Sequence, residues 1–151
     1  MAIRNIVQIG DEVLRKTSQE VTVFDDKLFE LLDDMKDTLK KAQGAGLAAV
    51  QVGVLKRIFI VDNNGEYMEF INPEKIYESG TQYGEEGCLS VKGKWGKLSR
   101  PAKVVMEAYD RNQNKFRITA KGFMAKCLCH EYDHLDGILY VDKAREVHEE
   151  K

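Results

Sequence analysis

Residues 122–137 read GFMAKCLCHEYDHLDG, and this stretch contains the most specific motif of the chain. His130, Glu131 and His134 form an H-E-x-x-H run, which on a helix stacks two imidazoles one turn apart and sets a carboxylate beside an ion that they share. Phe123 and Cys127 precede the histidines at steps of four and three, so all these side chains but the glutamate share one side of the predicted helix. The stretch predicts a metal-dependent hydrolase.

Composition limits the classes of protein that remain. With 151 residues, of which 43% are apolar, the chain can close one sizeable core, and we expect a single catalytic domain over residues 1–151. The 23 basic and 25 acidic residues nearly cancel, which argues against nucleic acid or a membrane as a direct partner. No apolar run approaches the ~18 residues of a membrane span, so we expect a cytoplasmic protein. Its three cysteines are expected to be free.

Hydrophobic periodicity predicts a second helix and a hairpin in the first half of the chain. Leucines and a methionine recur at helical spacing after Asp25, which is suited to capping, and predict a helix over about residues 25–42. Residues 57–62 and 67–72 have strand composition and flank the turn Asn63-Asn64-Gly65. They are expected to pair as antiparallel strands.

The second half of the chain shows one further hairpin. Residues 103–109 and 115–119 flank a polar turn and predict two more strands. The glycine-rich segment 78–100 has little periodicity and is expected to be loop-rich or to form short strands, and the charged tail 143–151 is expected to be a solvated helix end. We predict an α+β domain in which mixed or antiparallel β-sheets pack around a central C-terminal helix that carries the metal motif.

Two histidines leave a catalytic cation under-coordinated, so the sequence must supply a third ligand. The metzincin spacing fails because Tyr140 stands at its third ligand position, and His148 lies in a charged terminus. Cys127 shares the helix face but is too far from His134 for one ion to bind both easily. Cys88 is a better candidate, because the glycine before it lets the main chain come close to an ion and its thiolate could complete a Cys-His-His set. An isolated Gly-Cys is nevertheless more often a buried, inert cysteine.

Three segments together resemble the signatures of the peptide deformylase family in order and spacing. They are 44–51 (GAGLAAVQ), 86–90 (EGCLS) and 130–137 (HEYDHLDG). The similarity runs from about residue 5 to residue 142. It departs from the family pattern at three positions, which are Cys129, Ala45 and Lys92.

The resemblance implies a reaction and a set of residue roles. The substrate would be the N-formyl group on the N-terminal methionine of a newly made polypeptide, and formate would be released. Cys88, His130 and His134 would hold one divalent ion, natively iron(II), with zinc, nickel or cobalt possible by ligand type. Glu131 would act as general base and then acid, and the side chain of Gln51 with the main-chain N–H of Leu89 would stabilise the oxyanion.

The resemblance also implies a substrate pocket and partners. Candidate walls for the methionine side chain are Ala45, Phe123, Cys127 and His130. Gly46 and Gly87 would form main-chain hydrogen bonds to an extended peptide, and Glu86 and Arg100 would pair to brace the ligand loop. The expected partners are N-formylmethionyl nascent polypeptides, with transient ribosome proximity and no direct contact with nucleic acid or membrane.

Other chemistries compete with this interpretation. A closed structural site could join Cys127 or Cys129 to the Cys-His-His set, and Cys88 could instead attack directly as a nucleophile with a histidine as its base. Peptidase activity on substrates without a formyl group is a third possibility. Gly44, Gly46 and Ala49 also fit a dinucleotide fingerprint, but that motif requires a strand before it and a helix after it.

Overall fold

The structure, a computed structural model, describes residues 2–149. Its two α-helices within that range are α1 (Asp26–Ala42) and α2 (Gly122–His134). The strands are β1 (Gly46–Ala48), β2 (Ile58–Asn63), β3 (Glu66–Ser79), β4 (Gln82–Cys88), β5 (Val91–Arg100), β6 (Lys103–Tyr109), β7 (Lys115–Lys121) and β8 (Glu146–Glu149). Short 3-10 helices cover Glu12–Arg15, Ala49–Val52 and Tyr140–Asp142. In the described range, neither α1 nor α2 is long and apolar enough to cross a membrane.

The strands form two antiparallel sheets. The larger sheet has the order β1-β2-β3-β6-β7, and the smaller has the order β4-β5-β8. Strand β1 therefore lies at one edge of the larger sheet and β4 at one edge of the smaller. Helix α2 contacts strands of both sheets, so the predicted α+β architecture with a central C-terminal helix is confirmed.

Alternation along β2 explains how the larger sheet packs against two helices at once. Successive side chains of a strand point to opposite faces. Ile58 and Ile60 pack with the apolar side of α1, whereas Phe59 and Val61 pack with Ala125 and other residues of α2. All four β2 side chains are at most 1% exposed. The sheet is thus held between the two helices, and α2 occupies a fixed position on one face.

The predicted first helix and first hairpin are confirmed. The Asp25 carboxylate accepts a hydrogen bond from the main-chain N–H of Leu28 at 3.1 Å, which caps α1, and the helix ends at Gln43 in the left-handed conformation. Asn64 and Gly65 both have positive φ angles, of 55° and 93°, as a tight hairpin turn between β2 and β3 requires.

Of the two expectations for residues 78–100, loop-rich or short strands, the loop-rich one is wrong, since β4 and β5, of 7 and 10 residues, form a hairpin with a register shift between Glu86 and Cys88. The tail is not a helix end either, because β8 pairs with β5 through residue 149, while the last two residues lie outside the described residues. Gly96 explains this pairing, since a side chain at that position would lie 2.7 Å from the carbonyl oxygen of Glu146. Glycines such as Gly96 interrupt the alternation of polar and apolar side chains by which a strand is predicted, and here the glycine permits close contact between β5 and β8.

Candidate metal centre

Three side-chain donors from two distant parts of the chain meet beside α2. Cys88 comes from the end of β4, and His130 and His134 come from successive turns of α2. One donor atom of each lies within 4.8 Å of the other two. Cys88 Sγ lies 3.4 Å from His134 Nε2, and the two imidazole rings have centroids 5.1 Å apart. The two predicted histidines and the predicted cysteine are therefore neighbours in space.

A buried carboxylate fixes the orientation of His130. The Nδ1 atom of His130 lies 2.8 Å from Oε1 of Glu86, which leaves Nε2 on the side of the donor group. Arg100 donates two hydrogen bonds to the same carboxylate, from Nε at 2.8 Å and from Nη2 at 2.9 Å. The predicted Glu86–Arg100 pair is thus present. A carboxylate that holds the outer nitrogen of a metal-binding histidine is a recurrent arrangement in metalloproteins.

The charge of Glu86 is maintained by its two partners. Burial raises the pKa of Glu86, but hydrogen bonds with His130 and Arg100 and the positive charges of these two residues outweigh burial and lower the pKa to about 2. Arg100 is itself only 4% exposed, and its Nη1 donates to Asp133 Oδ2 at 2.7 Å. The sequence reasoning did not identify Asp133 as a member of this network. Its position beside His134 in the motif was the available signal.

Glu131 is a buried carboxylate directed at the donor group. Its Oε2 lies 4.0 Å from His130 Nε2, and its Oε1 is fully enclosed without a hydrogen-bond partner among the described residues. Burial raises the pKa of Glu131 to about 7, against the opposing effect of His130. A carboxyl group with a pKa near neutrality can both accept and return a proton at physiological pH.

These residues fit a divalent metal ion. A thiolate and two imidazoles are the ligand types of mononuclear catalytic sites for iron, zinc and related metals, and three protein ligands leave a further coordination position. Burial lowers the pKa of His134 well below its usual value, which keeps that ring in the neutral form that ligation requires. The carboxylate of Glu131, one oxygen of which is buried without a hydrogen-bond partner among the described residues, approaches His130 Nε2 to 4.0 Å through its other oxygen.

Gln51 presents its amide nitrogen to the donor group. Its Oε1 accepts a hydrogen bond from the main-chain N–H of Ala48 at 2.9 Å, which determines how the amide is oriented. Its Nε2 then faces Ser90 Oγ at 3.0 Å and Cys88 Sγ at 3.6 Å. Leu89 lies between these two residues in the chain. Ser90 is fully buried, and the sequence reasoning gave it no role.

The donor group opens into a cleft of about 400 Å³ between β1 and β4, the two edge strands. Cys88, His130 and Glu131 line this cleft, whereas His134 is fully buried behind them. Gln51 and Leu89 also line it. So do all the residues proposed for substrate contact, which are Ala45, Gly46, Gly87, Phe123 and Cys127.

The other candidate ligands lie elsewhere. Cys127 lines the cleft but does not belong to the donor group found within residues 2–149. Cys129 is buried in the core between α2 and the larger sheet, and burial raises the pKa of its thiol. His148 stacks on Trp95 with ring centroids 4.5 Å apart. Gly46 opens a strand that leads into a short 3-10 helix, so the strand–turn–helix context of a dinucleotide site is lacking there.

Comparison with known proteins identifies the family. The model of the polypeptide deformylase family matches residues 3–150. A peptide deformylase of Caldicellulosiruptor bescii is 53% identical over 143 residues, which cover 95% of this chain and 86% of that protein. A peptide deformylase of Acetivibrio thermocellus is 51% identical over 143 residues, which cover 95% of this chain and 84% of that one.

Solved structures agree with the sequence matches. A peptide deformylase of Legionella pneumophila superimposes with a TM-score of 0.92 at 43% identity, covering 94% of this chain and 86% of that chain. A peptide deformylase of Thermotoga maritima has a TM-score of 0.94 at 32% identity, covering 97% of this chain and all of that chain. Sequence, fold and the clustered metal-binding side chains therefore agree that this chain belongs to the polypeptide deformylase family.

Proposed function

We propose that Cys88, His130 and His134 hold a divalent cation at which this chain hydrolyses the formyl amide of N-formylmethionyl polypeptides. Members of the polypeptide deformylase family remove the N-formyl group from nascent polypeptides, and membership makes this chain a metal-dependent amide hydrolase of that type. The proposal assigns that reaction to particular residues. The observation that carries it is the grouping of one thiol and two imidazoles within 4.8 Å beside a buried, unpartnered carboxylate oxygen.

The peptide is held in extended form between the two sheet edges. β1 and β4 are edge strands on either side of the cleft, and an extended chain can add main-chain hydrogen bonds to such edges. Gly46 on β1 and Gly87 on β4 line the cleft and supply main-chain groups on its two sides. Because these contacts involve only the main chain, they align the formyl group without selecting particular residues downstream.

The side chains around the donor group carry the chemistry. A divalent cation held by Cys88, His130 and His134 would supply Lewis-acid chemistry, which makes water more acidic and an amide carbonyl more electrophilic. Glu131 accepts the proton from the attacking water and passes it to the departing amine. The Gln51 amide and the Leu89 main-chain N–H donate hydrogen bonds to the oxygen on which negative charge develops. Glu86 keeps the outer nitrogen of His130 occupied, so that Nε2 stays directed at the cation.

The methionine side chain of the substrate occupies the apolar part of the cleft. Ala45, Phe123 and Cys127 line this part, and the ring of His130 forms its inner wall. Phe123 is 51% exposed at the mouth of the cleft, which leaves its ring available for contact with the peptide. Burial raises the pKa of the Cys127 thiol to about 12, so Cys127 contributes a neutral surface there and no nucleophile.

We further propose iron(II) as the native metal, which the resemblance to the family favours, with zinc, nickel or cobalt as substitutes because a thiolate and two imidazoles accept all four. The whole chain, residues 1–151, acts as a single catalytic domain. Since its substrates are nascent polypeptides, the enzyme works in the cytoplasm in transient proximity to ribosomes. It needs no contact with nucleic acid or membrane for this reaction.

A formate-release assay tests the assignment. The purified chain, loaded anaerobically with iron(II), is expected to release formate from a formyl-methionyl peptide, and a chelator is expected to abolish the reaction until metal is restored. Glu131→Gln is expected to lose at least about a thousandfold in kcat with an unchanged metal content, because the proton acceptor is removed and no ligand is. Activity that survives complete metal removal would instead support direct attack by Cys88.

A further inference from the structure

The mouth of the cleft carries three lysines. Lys92 and Lys94 lie at the start of β5, just after the turn that follows Cys88, and Lys126 lies on α2 one helical turn before His130. All three line the cleft. Lys92 and Lys94 flank Gly93, whose positive φ of 76° interrupts the regular alternation of β5, and both lysines are exposed. The three lysines, which we name the basic rim, therefore bound the cleft on the β5 side and on the α2 side.

No carboxylate neutralises the basic rim. None of the three lysines forms an ion pair with another residue in the described range. Lys126 Nζ donates to the main-chain oxygen of Glu85 at 2.8 Å and lies 5.6 Å from the centre of the Phe123 ring, so its charge remains uncompensated. Glu149 is the cross-strand neighbour of Lys94, but the two side chains are not paired.

The acidic residues of the cleft do not cancel this charge. Three glutamates are among the residues that line it. Glu86 is held by Arg100, and Glu131 is buried at the floor. Glu85 is the remaining one, and it is exposed. Three ammonium groups without an ion pair among the described residues thus line a cleft that has one exposed carboxylate, although the chain as a whole has a net charge of −2.

We propose that the basic rim makes this enzyme select nascent chains with an acidic residue at the second to fourth position. The inference rests on the proposed function and names a preference within it. With the formyl carbon at the donor group, an extended peptide advances about 3.3 Å per residue, so its next three residues leave the cleft past the rim. An exposed ion pair typically contributes a factor of about two to five, and we expect a preference of about tenfold from the rim together.

Matched peptides test this preference. The substrates are amidated formyl-methionyl tetrapeptides that carry Asp or Asn at position two, three or four and alanine elsewhere, so that each pair differs only in charge. For at least one position, kcat/KM is expected to be about tenfold higher for Asp than for Asn at about 0.05 M salt. The ratio is expected to fall to about two at about 0.5 M salt, because the Debye length then shrinks to a few ångströms.

Two triple variants separate the rim from the overall charge. Lys92→Gln, Lys94→Gln and Lys126→Gln combined are expected to bring the Asp/Asn ratio to within twofold of one. The control combines Lys16→Gln, Lys27→Gln and Lys40→Gln, three exposed residues that do not line the cleft, and changes the net charge equally. It is expected to keep the preference of the parent enzyme.

Three outcomes would overturn the inference. They are equal kcat/KM values for Asp and Asn peptides in the parent, a preference that salt leaves unchanged, and loss of the preference in both triple variants. Failure of the proposed function would look different, since no formyl-methionyl peptide would then release formate. Rapid release from the Asn peptides without a charge preference would retain the proposed function and reject the rim.

Discussion

Gly46→Ala should disable the enzyme by displacing the carboxylate of Glu131. An added Cβ at this position would lie 2.6 Å from Glu131 Oε2 and 3.0 Å from its Cγ and Cδ. Relaxation to an ordinary contact of roughly 3.4 Å requires a relative shift of about 0.8 Å. Alanine retains the main-chain N–H and C=O of position 46, so the substitution tests the space beside Glu131 and not the main-chain contacts to substrate.

The magnitude follows from how catalysis depends on placement. A misplacement of about 1 Å in a catalytic group can cost about a hundredfold in rate. We therefore expect kcat for formate release to fall about a hundredfold, with the metal content unchanged because no ligand is touched. Kinetics on a formyl-methionyl peptide and metal analysis of the same preparation measure the two quantities.

Two comparisons make this expectation falsifiable. Gly84→Ala is the control, since an added Cβ there meets only the Lys126 Nζ at 3.7 Å, and activity is expected within about twofold of the parent. In a Glu131→Asp background the carboxylate is one methylene shorter, so adding Gly46→Ala should cost less than about threefold. A Gly46→Ala enzyme with parental kcat would refute the reasoning, as would an equal loss in both backgrounds.

Three further changes test other parts of the structure. Ser90→Ala should lower kcat about tenfold without loss of metal because Gln51 loses a partner, whereas Gln51→Ala removes an oxyanion donor worth ~3 kcal/mol and should cost two to three powers of ten; steady-state kinetics should show no further loss when Ser90→Ala is added to Gln51→Ala, and a full additional tenfold loss would refute an action through Gln51. Arg100→Lys keeps the charge but loses the two hydrogen bonds to Glu86, the carboxylate that holds Nδ1 of His130. A chelator competition should reveal a 10- to 100-fold weaker metal affinity. Burial raises the pKa of Asp34, but hydrogen bonds from a main-chain N–H and from Arg4 bring it below 3.8, so its stabilising effect is present above about pH 4 and lost as the pH falls through the lowered value. Urea unfolding at several pH values should show Asp34→Asn to be less stable than the parent near neutrality, with a difference that shrinks as the pH falls below about 4, and a constant difference would contradict this.

Local signals determined how much of the fold could be predicted. Helix α1 was predictable because its cap, Asp25, and its apolar spacing are adjacent in sequence, and the first hairpin was predictable because Asn64-Gly65 supplies the required positive φ angles. The β4–β5 hairpin was missed because its glycines contribute no side chains to an alternating pattern. A side chain at Gly96 would collide with β8, a strand more than 45 residues later in the sequence, so the reason for this glycine is not visible locally.

The site likewise has features that follow from local sequence and features that depend on contacts between distant segments. The side-by-side placement of His130 and His134 follows from helical spacing alone and was readable from the motif. The contact of Gly46 with Glu131 and the hydrogen bond between Gln51 and Ser90 join segments that are 85 and 39 residues apart. No pattern within a single segment encodes either contact, so neither could be derived from periodicity or spacing.

Arg100 connects the halves of the site that the two sheets hold apart. It lies at the end of β5 in the smaller sheet, and its guanidinium reaches both Glu86 on β4 and Asp133 on α2, the helix that packs on the larger sheet. Cys88 belongs to the smaller sheet, and the two histidines belong to the second unit, which consists of α2 and the larger sheet on which it packs. A planar group with fixed donors can satisfy two carboxylates at once, so a shift of one unit relative to the other would strain both pairs of hydrogen bonds. The relative position of Cys88, His130 and His134 therefore depends on this buried ion-pair network, which gives a structural role to a buried charge that lies 12 residues from Cys88 in sequence.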